Sequence, residues 1–288
     1  VGKKLTDANW MAGIGLSLRA IGMWKEAIRF IAGARKTYER EKDKRGIAFS
    51  LWAEAGALRV AGDIARAIKK FNESKSIFSS AKDTSGVAYS LCGLGGTHRI
   101  AGKFKESLNY YKQANETFRN LKDKFGIAYS HCGIGNAYRM LCNYKDALRH
   151  FEKATSLYEE IGDVVSYSYT LWSLANVYKM KRDSVNARLY VKGALKNFKK
   201  TKDPRGIIYC DLTLGEIEFM EGRNSLAEKR LYSAMHNAGR HNFKLEKCHS
   251  QMLLNHMQGQ GSGDNGRVSC YKRLGINLDF TGIPFNMP

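Results

Sequence analysis

The sequence predicts an all-α fold: a superhelical solenoid of six tandem helix-turn-helix repeats, then a C-terminal capping helix and an extended tail. Three observations predict it. The chain repeats itself every 40 residues without a gap; it holds only three prolines, Pro204, Pro284 and Pro288; and glycine and aspartate recur in register where helices must stop and start. A period of this length is the mark of a stacked array, in which a unit buries its apolar stripe only against its neighbours.

In register, 46–55 reads GIAFSLWAEA, 86–95 GVAYSLCGLG, 126–135 GIAYSHCGIG, 166–175 SYSYTLWSLA and 206–215 GIIYCDLTLG. A more divergent copy precedes them, so the repeats span 6–45, 46–85, 86–125, 126–165, 166–205 and 206–245, and a half copy at 246–257 caps a solenoid occupying 1–257. Gly22, Gly62, Gly102 and Gly222 fall where the first helix of a unit ends, because glycine accepts the left-handed conformation of a C-terminal cap. Asp43, Asp83, Asp123, Asp163 and Asp203 fall at each join, where a carboxylate accepts from the free N–H groups of the next helix. Position 10 of the unit is always Gly or Ala (Gly15, Ala55, Gly95, Gly135, Ala175, Gly215), and position 29 is Ala or Ser. Glycine inside a helix costs up to about 1 kcal/mol relative to alanine, so its repeated use there implies close helix approach. Phe71, Tyr111, Phe151 and Tyr190 supply the complementary bulk.

This pattern resembles the tetratricopeptide repeat family, with large-Leu-Gly-Tyr on the first helix and Ala-aromatic-Ala on the second. The unit at 126–165 carries it best, in Ile134, Gly135, Tyr138, Ala147, Phe151 and Ala154. The proline that usually ends the family's unit is missing, and 40 residues exceed the common length of about 34. In that respect the chain is similar to spindle-orientation adaptors and bacterial peptide-responsive regulators. The resemblance implies a right-handed superhelix, first helices lining a concave groove, and binding of another polypeptide rather than catalysis.

The helical angle of about 100° per residue separates two stripes on each first helix. Positions 2, 6, 9, 10 and 13 are mostly apolar or small and form core, as in Ile127, Leu91, Leu94, Gly95 and Tyr138. Positions 4, 7, 11 and 14 form a second arc, which in the resembling family faces the groove. Position 4 carries Phe49, Tyr89, Tyr129, Tyr169 and Tyr209; position 7 includes Trp52, Cys92, Cys132 and Trp172; position 11 includes Asn136 and Asn176; and position 14 carries Arg19, Arg59, Arg99, Arg139 and Lys179. Candidate peptide-binding residues are therefore Trp52, Arg59, Tyr89, Arg99, Tyr129, Asn136, Arg139, Tyr169, Trp172, Asn176 and Lys179. The competing reading packs the tyrosines between successive first helices and pairs the arginines with local acids. Segments 86–101 and 126–141 contain no acid, so their guanidinium groups need partners from elsewhere. The expected ligand is an extended or helical peptide with acidic residues, its backbone matched by asparagine amides that both donate and accept.

After Met257, residues 258–266 (QGQGSGDNG) read as a flexible linker, and 267–288 as an apolar tail. Alternation there puts Leu274, Ile276, Leu278 and Phe280 on one side of a strand, with Phe285 following. An uncovered apolar strand is a liability, so the tail is itself a candidate occupant of the groove, in cis or in trans; a disordered docking motif and a strand on the outer surface are the alternatives. A linker of this length spans roughly 15–18 Å, enough for the C-terminal part of the groove but not its far end.

The formal charge of +20 is uneven: 166–205 holds ten Lys and Arg against two acids, whereas 126–165 holds four against five. The excess reads as a solvated helix face. The alternative is a nucleic-acid-binding solenoid whose basic second helices track phosphates while Trp52 or Trp172 stacks on bases. The six cysteines show no close pairing and read as reduced thiols, which with the lack of a membrane-length apolar run suggests a cytoplasmic protein. No nucleotide-binding or hydrolase motif is present beyond the chance spacing of Gly261, Gly263 and Gly266, and the adjacent pairs His131-Cys132 and Cys248-His249 diverge on a helix. No enzyme activity, cofactor or metal is expected.

Overall fold

The computed structural model describes residues 2–259, 270–271, 273–276 and 283–288. Its thirteen helices run α1 (Gly2–Ala20), α2 (Trp24–Arg40), α3 (Lys44–Val60), α4 (Ile64–Ser80), α5 (Thr84–Ile100), α6 (Phe104–Leu121), α7 (Lys124–Met140), α8 (Tyr144–Ile161), α9 (Val164–Met180), α10 (Ser184–Thr201), α11 (Pro204–Met220), α12 (Asn224–Arg240) and α13 (Lys244–Met257). No strand occurs among the described residues. The helices form six antiparallel pairs, and α13 closes the stack.

The punctuation acts as the sequence requires. The five aspartates at the joins accept from the backbone N–H three residues on, as Asp123 does from Gly126 at 2.9 Å, relieving an unpaired donor at each helix start. Gly22 and Gly62 take positive φ (88° and 79°) at the turn inside a unit; Cys142 and Arg182 take the same conformation where glycine is absent. The jigsaw positions also meet. A Cβ on Gly95 would stand 2.8 Å from the Tyr111 ring, and one on Gly135 2.7 Å from the Phe151 ring. Position 1 obeys a further rule: Gly46, Gly86, Gly126 and Gly206 each lie against the aromatic ring that ends the previous unit, from Tyr38, Phe78, Phe118 and Phe198.

First helices also pack on one another in series, from α1 on α3 to α11 on α13, which sets them inside the curve and the second helices outside. Curvature brings the ends together. His241, just after α12, donates to the Ile21 carbonyl (3.2 Å), and Lys244 Nζ lies 5.4 Å from the Trp24 ring centre. The first and last units thus touch directly.

The tail returns across this closed turn. Cys270 is disulfide-bonded to Cys248 of α13, which corrects the expectation of six reduced thiols. A pair 22 residues apart becomes neighbours only because the tail doubles back, a long-range event that spacing does not reveal. Cys92, Cys132, Cys142 and Cys210 are free, and cysteine usage no longer argues for a reducing compartment. The expected strand is corrected as well. Cys270, Tyr271 and Arg273 are helical, and Ile276 N–H donates back to the Tyr271 carbonyl (3.0 Å) across Gly275 at φ 68°. Leu274 and Ile276 therefore sit on a turn. Leu274 contacts Gly62, farther along the array than the linker length suggests, because the curl of the superhelix brings the second unit alongside. Leu278, Phe280 and the linker beyond Gly259 lie outside the described residues. Among the described residues no helix is long and apolar enough to cross a membrane.

Candidate functional site

The cations of position 14 form a row along the inner face through the first five units; Arg19, Arg59 and Lys179 reach position 11 of the next unit, whereas Arg139 donates to Asn136, position 11 of its own. Where position 11 is glycine, the guanidinium packs onto the helix itself: Arg19 Nη1 lies against Gly56 and Arg59 Nη1 against Gly96. Arg19 also lies over the Trp52 ring and Arg59 over the Phe71 ring, at 5.8 and 5.9 Å. In the last such pair position 11 is Glu216, and Lys179 donates to it in an ion pair with no solvent exposure on either side.

Residues 283–288 lie on this row. Lys179 Nζ donates to the Phe285 carbonyl (2.8 Å), and the Phe285 N–H donates to Glu216. Arg139, also fully buried, donates to the Met287 carbonyl (2.7 Å) and to the Asn286 amide oxygen, while Asn286 Nδ2 donates back to the Arg139 carbonyl (2.8 Å). Phe285 and Met287 are buried in one apolar cluster with Val60, Ile64, Ile100 and Leu212. The tail therefore bridges the turns of the second and third units to the C-terminal units.

Burial shapes the electrostatics of the row. It pushes Arg139 down to about 9, with Arg99 adding repulsion, and Arg19 down to about 10, with Arg59 adding repulsion. Burial also lowers Lys179 and raises Glu216, and in each case the ion pair opposes the shift.

The other candidates divide by role. Tyr89 and Tyr169 donate to Asp123 and Asp203 (3.0 Å each), tying each first helix to the cap of the next. In the unit between, Ser166 donates to Asp163 instead, and Tyr129 faces a cavity. Trp52 Nε1 donates to the Tyr89 carbonyl (3.2 Å); Trp172, 5% exposed, donates to the Tyr209 carbonyl and to Thr213. Asn176 Nδ2 donates to the Trp172 carbonyl (2.9 Å), and Asn136 Nδ2 to Ser173 (3.2 Å) while its oxygen accepts from Arg139. Of the candidates, then, Arg139 and Lys179 bond the tail, and Tyr89, Tyr169, Trp52, Trp172 and Asn136 bond neighbouring first helices to one another. Among the described residues no group of three or more His, Cys, Asp or Glu is placed to hold a metal.

The cavity, of about 170 Å³, opens next to Pro288 and is lined by Arg59, Arg99, Arg205 and a ring of tyrosines. Arg205 is matched by Glu246: burial opposes both charges, but Arg205 holds the Glu246 carboxyl below its usual range.

Residues 86–160, the third unit and most of the fourth, match the tetratricopeptide repeat family. That segment is of the tetratricopeptide-repeat family, and the same 40-residue unit recurs along the array. By sequence, no curated protein matches the chain. Among solved structures, the array is similar to a Rap conjugation gene regulator of the plasmid pLS20 in complex with the Phr* peptide (12% identity, TM-score 0.75, covering 94% of this chain and 73% of that one). It is also similar to a Rap protein complexed with competence and sporulation factor (15%, 0.66, 88% and 75%) and to aspartyl phosphate phosphatase F from Bacillus subtilis (12%, 0.65, 98% and 75%). At these identities the likeness is one of fold.

Sequence reasoning missed Glu216, Arg205, Glu246 and Asn286. Glu216 had a readable signal: position 11 turns acidic in the one unit that follows a lysine, rather than an arginine, at position 14. Arg205 and Glu246 sit outside the arc of positions considered, and Asn286 is visible only once the tail is placed.

Proposed function

We propose that this protein is a non-catalytic binding array that holds a polypeptide segment on the inner face of its first helices, and that its own tail occupies that face until a partner replaces it. One observation carries the reading. Three of the contacts to the tail are made to main-chain atoms, the Phe285 N–H and the carbonyls of Phe285 and Met287. Side chains that satisfy a ligand backbone recognise an extended segment whatever its sequence, and flanking apolar pockets then select. Two of the similar folds were solved with a peptide or factor bound, which supports reading this array as a polypeptide binder. The surplus of arginine over acid along the row favours a partner segment with acidic residues.

The nucleic-acid reading gains nothing, because Trp172 is buried and the Trp52 indole is committed to a neighbouring carbonyl. The phosphatase name of one similar fold belongs to that protein.

The test is fluorescence anisotropy of a labelled 267–288 peptide titrated with an array ending at Gly259, repeated with Arg139→Ala. We expect saturable binding in the micromolar range, weakened at least about tenfold by the substitution, as loss of charge-assisted bonds implies. No binding at about 100 μM, or equal binding by the variant, sinks the reading of the tail as occupant.

A further inference from the structure

We propose that the cavity beside Pro288 is an oxyanion site that takes a tetrahedral dianion of the phosphate class. The inference rests on the inner face being the ligand face, but it concerns a different ligand from the peptide backbone.

The lining offers donors from five helices. Arg59 comes from α3, Arg99 from α5, Tyr111 from α6, Tyr129 from α7 and Arg205 from α11. No acidic side chain lines the cavity. Arg205 has Glu246, but no acidic side chain pairs with Arg59 or Arg99 among the described residues. Arg99 is the telling member: its Nε and Nη1 are buried and have no hydrogen-bond partner among the described residues. Buried guanidinium N–H groups without a partner are costly, and such groups are ordinarily matched.

Local packing leaves the space open. Gly96 lets Arg59 Nη1 and Tyr111 Oη converge, since a Cβ there would stand 2.8 and 3.0 Å from them. Burial pushes the Tyr111 and Tyr129 phenols up, so both keep their protons and act as donors. Donors that converge from many directions suit an anion whose oxygens also point in many directions. A planar carboxylate would satisfy one guanidinium fork and leave the others unmet.

Isothermal titration of the full chain at constant ionic strength tests this, with inorganic phosphate, O-phosphoserine and acetate as probes. The expected result is saturable 1:1 binding of phosphate, weakened at least about tenfold in Arg99→Gln and unchanged in Arg66→Gln, whose charge is exposed and lies outside the cavity. Arg59→Gln is the second variant if Arg99→Gln does not fold by circular dichroism. O-phosphoserine binding as tight as phosphate assigns the site to a phosphoryl group carried by a larger molecule, and binding of phosphate alone assigns it to the free ion. No phosphate binding up to about 10 mM, equal binding of acetate, or full binding by folded Arg99→Gln and Arg59→Gln overturns the proposal. Peptide anisotropy on the array ending at Gly259, whose groove is free of its own tail, separates the two readings: phosphate failure with peptide binding intact leaves the groove reading standing.

Discussion

Lys179 donates at once to the Glu216 carboxylate and to the Phe285 carbonyl, so a main-chain atom of the tail completes the surroundings of an ion pair that has no solvent exposure. Breaking such a pair from one side strands the other charge. Lys179→Met should lower stability by about 3–5 kcal/mol, and Lys179→Met with Glu216→Leu should recover most of that loss. Urea unfolding followed by circular dichroism reads both; a double variant no better than the single contradicts the account.

Arg139 holds the tail through Asn286 and Met287 while its own carbonyl accepts from Asn286. Arg139→Ala should therefore free residues 283–288 without unfolding the array. Hydrogen exchange by mass spectrometry should show protection lost in that segment by at least about tenfold, with the α9–α11 core unchanged.

His249 on α13 is fully buried beside the Tyr271 hydroxyl, and burial lowers it to about 4 from an ordinary value of 6.5. A histidine depressed on folding contributes stability that is complete above about pH 6.5 and is lost as pH falls toward 4, because the unfolded chain takes up the proton first. The expected loss is about 3 kcal/mol, and His249→Gln should flatten the slope across that window. His131 and His150, whose Nδ1 atoms lie 2.9 Å apart, are also lowered to about 4, first by burial, and add a smaller, solvent-screened share in the same direction. Equal stability at pH 7 and pH 4.5 would count against this.

Asp123 serves two helices, capping α7 through Gly126 and accepting from Tyr89 of α5. Asp123→Ala should cost about 2–3 kcal/mol and Tyr89→Phe about 1 kcal/mol, because the second change removes only the bond between units. Thermal unfolding of both variants gives the ordering; a larger loss in Tyr89→Phe reverses the assignment.

The helical array was legible because its devices are local and repeated. Asp123 or Gly62 can be read from a short window, and Gly95 facing Tyr111 follows from the two-helix period. Arg139 and Lys179 were legible as a row, since their spacing is the period itself. What they bond was not, because Asn286 and Phe285 approach from more than a hundred residues away along the chain. The Cys248–Cys270 bond and the turn around Gly275 were hidden for the same reason: both depend on where the tail goes, and alternation of Leu274 and Ile276 fits a strand as well as it fits a short turn stopped by glycine. Trp172 and Tyr169 show the limit of a positional argument, since one helical arc serves both the open face and the seam between neighbouring first helices.

The touch between His241 and Ile21 changes how the array can come apart. In an open stack each unit answers only to the two beside it, so damage begins at a free end and spreads inward. Here the first and last described units hold each other: peeling away the first also strips the last, and the loss is felt at both places at once. The molecule is built less like a stack of coins than like a clasped bracelet, with the contact between His241 and Ile21 as its clasp.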